Sequence, residues 1–544
     1  MTQQLPQHPA DLTIAEQQAG MESGVWTSEQ LVQAYLDRIA RYDGRIRSVL
    51  ELNPDALAIA RGLDHERKVC GARGPMHGIP VLLKDNIDTC DRMHTSAGSI
   101  ALQHWIAPED AFIVRKLREA GAVLLGKTNM TEWANFMSDT MFAGYSSRGG
   151  QVVNPYGADL LVSGSSTGSA AAVAAGFCSA AVGTETSGSI IAPACRQAIV
   201  GLKPTVGLLS RTGIIPISHS QDTPGPMART VADAAALLGV MTGADPQDAA
   251  TLERVEGPAA VAAFSAERTR LDGANSSDGP DRLDGLDESA KAEMLNESGE
   301  GAGRLLPNDY TRFLDADFLR QARLGIPASF FQSLEEDVKE LMRSALSALR
   351  QAGASLIEDV RLPAEETGDW SAEVLRHEFK AGINRYLSRL DAGYPVHSLT
   401  ELIAYHEQHA EQALKYGQST LLWADQVSGS LTEPAYLESR ARDLWLSRDQ
   451  GIDHALRTYE LDALLLPGDG ITEEGAILDM AAKAGYPVVT VPAGFARQGP
   501  VGLLFIGTAY SEPTLIRLAY GYEQLTLHRR PPELKQLPPY PRLS

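Results

Sequence analysis

Ser165 and Ser189 lie in one stretch of small residues, Ser163 to Ala194, that reads SGSSTGSAAAVAAGFCSAAVGTETSGSIIAPA. Two loops in it set hydroxyls beside glycines: Gly164-Ser165-Ser166-Thr167-Gly168 and Thr186-Ser187-Gly188-Ser189. Serines so placed suit nucleophilic attack on a carbonyl, chemistry that also needs a base and donors for a developing oxyanion. Far upstream, Lys84 follows the apolar run Ile79-Pro80-Val81-Leu82-Leu83, at the kind of strand end where α/β folds gather their chemistry. The hypothesis is that the two loops bring Ser165 and Ser189 together, with Lys84 as third partner. Taken alone, a lysine at a strand mouth pointing to water is the simpler reading of Lys84.

Other readings of the loops are weaker. Ser/Gly runs are usually linkers, but both of these are embedded in apolar, small-residue segments. A phosphate cradle of the Walker kind would need a Lys after the glycines, and none follows. The nucleophile-elbow pattern G-x-S-x-G fits Gly164–Gly168 with Ser166 central, and His219, His406 and His528 follow downstream, so composition leaves that option open.

The elements that must position these residues alternate in type. Residues 11 to 69 read as helical, with Ser28 as an N-cap, Asp43-Gly44 as a stop and Pro54 opening the next helix. Strands are expected at Ile79–Leu83, Ala122–Leu125, Phe177–Gly183 and Ile199–Lys203, and helices at Asp110–Ala120, Thr131–Phe136, Ser169–Gly176 and from Val231. Ser138 to Gly157 reads as a polar, Gly-rich loop of the sort that lines a site. Residues 254–305 are acidic and Gly/Ser-rich, which predicts a solvated insertion. From 306 to 460 the chain reads as mainly helical with one strand at Ala322–Ile326; strands at Leu461–Leu466, Pro487–Pro492 and Val501–Ile506 and a helix from Glu512 close it. This alternation is the signature of an α/β fold.

Composition narrows the function. The 544 residues carry a formal net charge of -21, so nucleic acid and anionic membrane are disfavoured partners. Cys70, Cys90, Cys178 and Cys195 form no C-x-x-C pair and no His cluster has zinc spacing, so neither metal nor cofactor is expected. The N-terminal residues lack a basic and apolar leader, and no apolar run reaches the ~18 residues of a membrane span. The expectation is a cytoplasmic enzyme acting on a small molecule or peptide.

Taken in order, Gly78-Ile79-Pro80, Lys84-Asp85-Asn86, Ser163–Gly176, Gly183–Ile190, Gly201-Leu202-Lys203-Pro204-Thr205 and Gly225-Pro226-Met227-Ala228-Arg229-Thr230 resemble the amidase signature family of Ser-cisSer-Lys hydrolases. The separation of Ser165 and Ser189 also matches that family's pattern. The similarity spans roughly residues 11–245 and 306–530 and leans towards stand-alone amidases, bacterial peptide amidases among them. Three positions depart from the family pattern: Ser187 stands where Gly is usual, Ile191 where many members carry Arg, and Glu185 for the commoner Asp.

The resemblance implies one large α/β domain over residues 11–530. Its core, 70–245 and 461–530, would hold a central mixed, twisted sheet covered by helices on both faces, and 306–460 would form a helical region covering the substrate. It implies Ser189 as nucleophile, Ser165 behind a cis peptide as proton relay, and Lys84 as base. Backbone N–H groups of Thr186, Ser187, Gly188 and Ser189 would form the oxyanion hole. Ser166 would support the triad, although a loop or helix-start hydroxyl explains it equally well. Asp222 would do the same as a hydrogen-bonding scaffold, and Arg196 reads as structural. The activity implied is hydrolysis of a carboxamide, with peptide C-terminal amides or amino-acid amides first. Anilide-type amides come next, and an amidotransferase component of a larger complex is disfavoured by Ile191. Segments 138–157 and 306–460 are the expected pocket walls.

Overall fold

The computed structural model describes residues 11–252, 308–367, 370–468 and 476–540. The expected acidic insertion at 254–305 lies outside the described residues. The chain opens with helices α1 (Ile14–Glu22) and α2 (Ser28–Tyr42), strand β1 (Val49–Leu52) and helix α3 (Ala56–Cys70). Then come β2 (Pro80–Lys84), α4 (Phe112–Glu119), β3 (Val123–Thr128) and the short hairpin β4 (Tyr145–Ser146) and β5 (Gly150–Gln151). The central stretch supplies α5 (Thr167–Ala174), β6 (Ala180–Glu185), α6 (Ile191–Arg196), β7 (Val200–Lys203), β8 (Thr223–Ala228) and α7 (Val231–Met241). Strands β9 (Arg323–Pro327), β10 (Ser355–Val360), β11 (Ala463–Pro467), β12 (Val488–Ala496) and β13 (Gly499–Ile506) complete the set.

Eleven strands form one mixed sheet in the order β1-β3-β2-β6-β8-β7-β12-β13-β11-β9-β10, flanked by helices. β3, β2 and β6 run parallel, so their C-terminal ends emerge side by side. Leu83 pairs with Val182, which sets Lys84 and Thr184 at the same edge of the sheet. Strands β2, β3 and β6 are buried along their whole length and apolar for most of it, as strands covered on both faces must be. Every residue of α5 is buried; its Ala, Gly and Ser side chains let it sit close against the sheet.

A second apolar cluster joins the loops after β2 and β3 to the helical region. Trp105, Met130, Trp133 and Ile217 pack there with Phe379, Leu387, Leu402 and Leu421, from the helices Glu373–Leu387, Leu399–Gln408 and Ser419–Asp425. The helical region is thereby fixed above the loops that leave the strand ends. None of the described helices is long and apolar enough to cross a membrane.

Several expectations are corrected. The cap of α2 is Thr27, which shares a capping box with Gln30; Ser28 instead donates its hydroxyl to the Gly78 carbonyl at 2.7 Å. Pro54 lies outside α3, whose cap is Asp55. The stretch read as wholly helical contains β1, which pairs with β3 and is too short to show a period. Thr131–Phe136 is not a regular helix: Trp133, Ala134 and Asn135 are left-handed, with φ of 49°, 54° and 72°. Burial of Trp133 and a bond from its N–H to the Ala97 carbonyl at 3.0 Å override local helical preference. β6 begins at Ala180, later than expected, and continues to Glu185. β8 and β10 were unforeseen strands.

Candidate active site

Lys84, the last residue of β2, is fully buried and points its Nζ at three oxygens. These are Ser165 Oγ at 2.8 Å, the Thr184 carbonyl at 3.1 Å and Thr184 Oγ1 at 2.9 Å. Burial lowers the Lys84 pKa to about 7, against the opposing pull of the Asp222 and Glu185 carboxylates. Thr184 is shared: Asn86 Nδ2, on the loop leaving β2, donates to the same hydroxyl at 3.0 Å.

Ser165 follows a cis Gly164–Ser165 peptide bond, and its carbonyl accepts the Thr131 N–H at 3.1 Å. Ser166 ties the start of α5 to β6. Its hydroxyl donates to the Thr184 carbonyl at 3.0 Å and accepts the Thr184 N–H at 3.2 Å. Its backbone N–H donates to the Ser189 carbonyl at 3.1 Å, so the two serine loops are joined directly. Lys84 and Ser165 are 0% exposed, whereas Ser189 and Thr186 keep 7% and 8%, so the site is dry at its base and opens at Ser189.

The chain on both sides of Ser189 is held by three carboxylates. Glu185 Oε2 accepts the N–H groups of Ile190 and Ile191 at 2.7 and 2.9 Å, at the start of α6. Asp222 accepts the Thr186 hydroxyl at 2.5 Å on one oxygen and the N–H groups of Ile217 and Ser218 at 2.8 and 2.9 Å on the other. Burial pushes the Asp222 pKa up to about 6, although these hydrogen bonds favour its charged form. Ser187 donates its hydroxyl to Asp479, a residue 292 positions away in the helix Ala476–Ala484. Gly188, with φ +76°, makes the turn into Ser189 that a side chain would oppose.

The arrangement therefore gathers Lys84, Ser165, Ser166, Thr186, Ser187, Gly188, Ser189 and Asp222 into one region. Arg196 sits apart, buried at the end of α6, where its carbonyl accepts Asn154 Nδ2 at 3.0 Å. Sequence reasoning missed Thr184, Asn86 as its partner, and Asp479. The first two had a signal, since both sit beside strand ends that carry a site residue. Asp479 had none.

Comparison with known proteins is consistent across the chain. Residues 30–272 match the family model described as Amidase. A probable amidase of Arabidopsis thaliana is 37% identical over 96% of this chain and 91% of its own length. The chain belongs to the amidase signature family. A solved structure of native peptide amidase from Stenotrophomonas maltophilia superposes on this amidase with a TM-score of 0.81 at 44% identity, covering 97% of this chain and 99% of that one. A glutamyl-tRNA(Gln) amidotransferase subunit from Halorhodospira halophila is 31% identical over 96% of this chain and 99% of its own length. Beside Asn86, the side chains of Met130, Trp133, Ala134, Ile215 and Ile217 line a mainly apolar crevice too tight to hold a water molecule. These residues lie on the loops after β2 and β3 and at 215–217.

Proposed function

We propose that this amidase hydrolyses the C-terminal carboxamide of peptides, or an amino-acid amide, through an acyl-enzyme on Ser189. The observation that carries the mechanism is the set of partners around Lys84. A neutral amine has two N–H donors and one lone pair. The Thr184 carbonyl can only accept, and Thr184 Oγ1 sits at 2.9 Å as the second acceptor. The lone pair is then left for Ser165, 2.8 Å away, whose proton it accepts. With its hydrogen directed to Lys84, Ser165 can take the proton of Ser189 as that oxygen attacks the amide carbon. The same relay reversed gives the leaving nitrogen its proton, and water then releases the acid from Ser189. Burial supports the neutral lysine, because a dry site disfavours the ammonium.

Backbone N–H groups of the loop Thr186–Ser189 serve the oxyanion, and removal of one such donor costs about 3 kcal/mol of barrier. The Glu185, Asp222 and Ser187 contacts hold that loop in shape. Likeness to a peptide amidase over nearly the whole chain supports the substrate class. The likeness to amidotransferase subunits supports a second reading, action within a complex; the buried, apolar Ile191 beside the site weighs against it.

Purified protein assayed alone on peptide amides, amino-acid amides and anilides tests the proposal. Release of ammonia from peptide amides is expected, with loss of about 10⁴-fold or more in Ser189→Ala. Full activity in Ser189→Ala overturns the mechanism. Preference for anilides replaces the substrate class with an aryl-acylamide one, and turnover only with added partners replaces the stand-alone reading.

A further inference from the structure

Ser187 and Asp479 make a contact that the proposed chemistry does not require. A carboxylate beside an oxyanion loop opposes the charge that develops there, so its presence calls for a compensating positive charge. Among the described residues, no Lys, Arg or His forms an ion pair with Asp479. Lys483, one helical turn on, is engaged with Asp443 Oδ2 at 2.9 Å and with the Ser371 carbonyl at 2.9 Å. Arg440 donates to the Lys483 carbonyl at 3.2 Å. The seven residues before the helix, 469–475, include no Lys, Arg or His in their sequence. Asp479 is half-buried, and Ser187 occupies only one of its oxygens, Oδ1. The other is left for a group arriving from outside.

We infer that Asp479 is a specificity-determining residue that takes a protonated nitrogen of the substrate amide, with Ser187 holding its carboxylate towards Ser189. This rests on the amide-hydrolase reading above and adds a charge preference to it. The nitrogen is either the α-ammonium of an amino-acid amide or the side-chain cation of a basic C-terminal residue. The contact joins positions 187 and 479, so a glycine at 187, the residue usual in the family pattern, would leave Asp479 without this tether.

The test uses the full chain, wild type and Asp479→Asn, with two matched pairs of amides at neutral pH. Leucinamide against N-acetyl-leucinamide reads the α-ammonium, and N-acetyl-lysinamide against N-acetyl-norleucinamide reads the side chain. The wild type is expected to favour the charged member of one pair in kcat/KM, and Asp479→Asn to lower that charged-to-uncharged ratio about tenfold. The pair that responds identifies the source of the cation. Turnover of the uncharged members reports that the variant is folded, and Ser187→Gly, which keeps the carboxylate, should lower the ratio by a smaller factor. Equal ratios in wild type and Asp479→Asn for both pairs overturn the inference and leave the hydrolase reading standing. No turnover of any of the four amides by the wild type overturns both.

Discussion

Lys84 meets Thr184 twice, at the Thr184 carbonyl, 3.1 Å away, and at its hydroxyl, 2.9 Å away. The pairing follows from the sheet. β2 and β6 are parallel neighbours in register at Leu83 and Val182, so Lys84, the last residue of β2, lies alongside Thr184 near the end of β6. In the proposed mechanism Thr184 therefore decides where the donors of a neutral Lys84 point, and by elimination where its lone pair points. Valine at 184 keeps the carbonyl and the shape but removes the hydroxyl shared with Asn86. Losing a buried hydrogen bond costs about 1–3 kcal/mol, so Thr184→Val is expected to lower kcat by about ten- to a hundredfold. Steady-state kinetics check this, and a changed KM with unchanged kcat would remove Thr184 from the proton path.

The pH profile follows from the same lysine. Burial brings Lys84 down to about 7, so the neutral form prevails above that value. The kcat/KM profile should rise through pH about 7 and level off, and Lys84→Ala should lose about 10⁴-fold. The sign for stability is fixed too. The folded pKa is depressed from 10.5, so between about 7 and 10.5 the unfolded chain binds the extra proton. The burial penalty is complete below that window and is relieved as pH rises through it. A profile flat from pH 6 to 8 would contradict a neutral-lysine base.

Gly168 tests the seat of Ser165, the proposed proton relay. A Cβ there would stand 2.2 Å from the Asn129 carbonyl oxygen and 2.5 Å from that of Ser48, both backbone atoms that cannot swing away. The Gly168 N–H also donates to the Asn129 carbonyl at 2.9 Å. Gly168→Ala is expected to destabilise the fold by about 2–3 kcal/mol, read as a lower denaturant midpoint. A wild-type midpoint would show that α5 can move away from β3 more freely than its packing indicates.

What could be read in the chain depended on how local each determinant was. Lys84 and the serine loops were legible because buried strands and small-residue runs announce themselves over a few positions. β8 was not, because Thr223-Pro224-Gly225-Pro226 reads as a turn. Yet it lies between β6 and β7, with Pro224 and Pro226 opposite Thr184 and Val182. β10 is an edge strand with most of its residues partly or fully exposed, so no apolar run marks it. The turn at Trp133 was misread because its conformation is set by burial in the cluster shared with the distant helical region, where its ring lies beside His406 of the helix Leu399–Gln408. Asp479 reaches Ser187 only through the tertiary fold, and nothing near it in sequence suggests the contact.

Asp222 gives the sharpest test, because its two effects on the site have separable readouts. Its carboxylate spans Thr186 Oγ1 on one side and the Ile217 and Ser218 N–H groups on the other. Its charge also favours the protonated form of Lys84. Asn at this position offers one accepting oxygen in place of two, so one side of the span is lost and the loop before Ser189 loosens. That should lower kcat by about tenfold. Removing the charge makes Lys84 easier to deprotonate, so the acidic limb of the activity profile should move below pH about 7. Its own titration runs the other way: the Asp222 pKa is raised from 3.8 to about 6, so its burial penalty grows as pH rises through that range and is complete above it. Asp222→Asn should therefore recover some stability above pH about 6, offset by the lost hydrogen bond. A scaffold with no electrostatic link to the base would lower kcat and leave the limb in place. An unmoved limb in Asp222→Asn would thus separate Asp222 from Lys84, and a lowered one would tie the loop's support to the base.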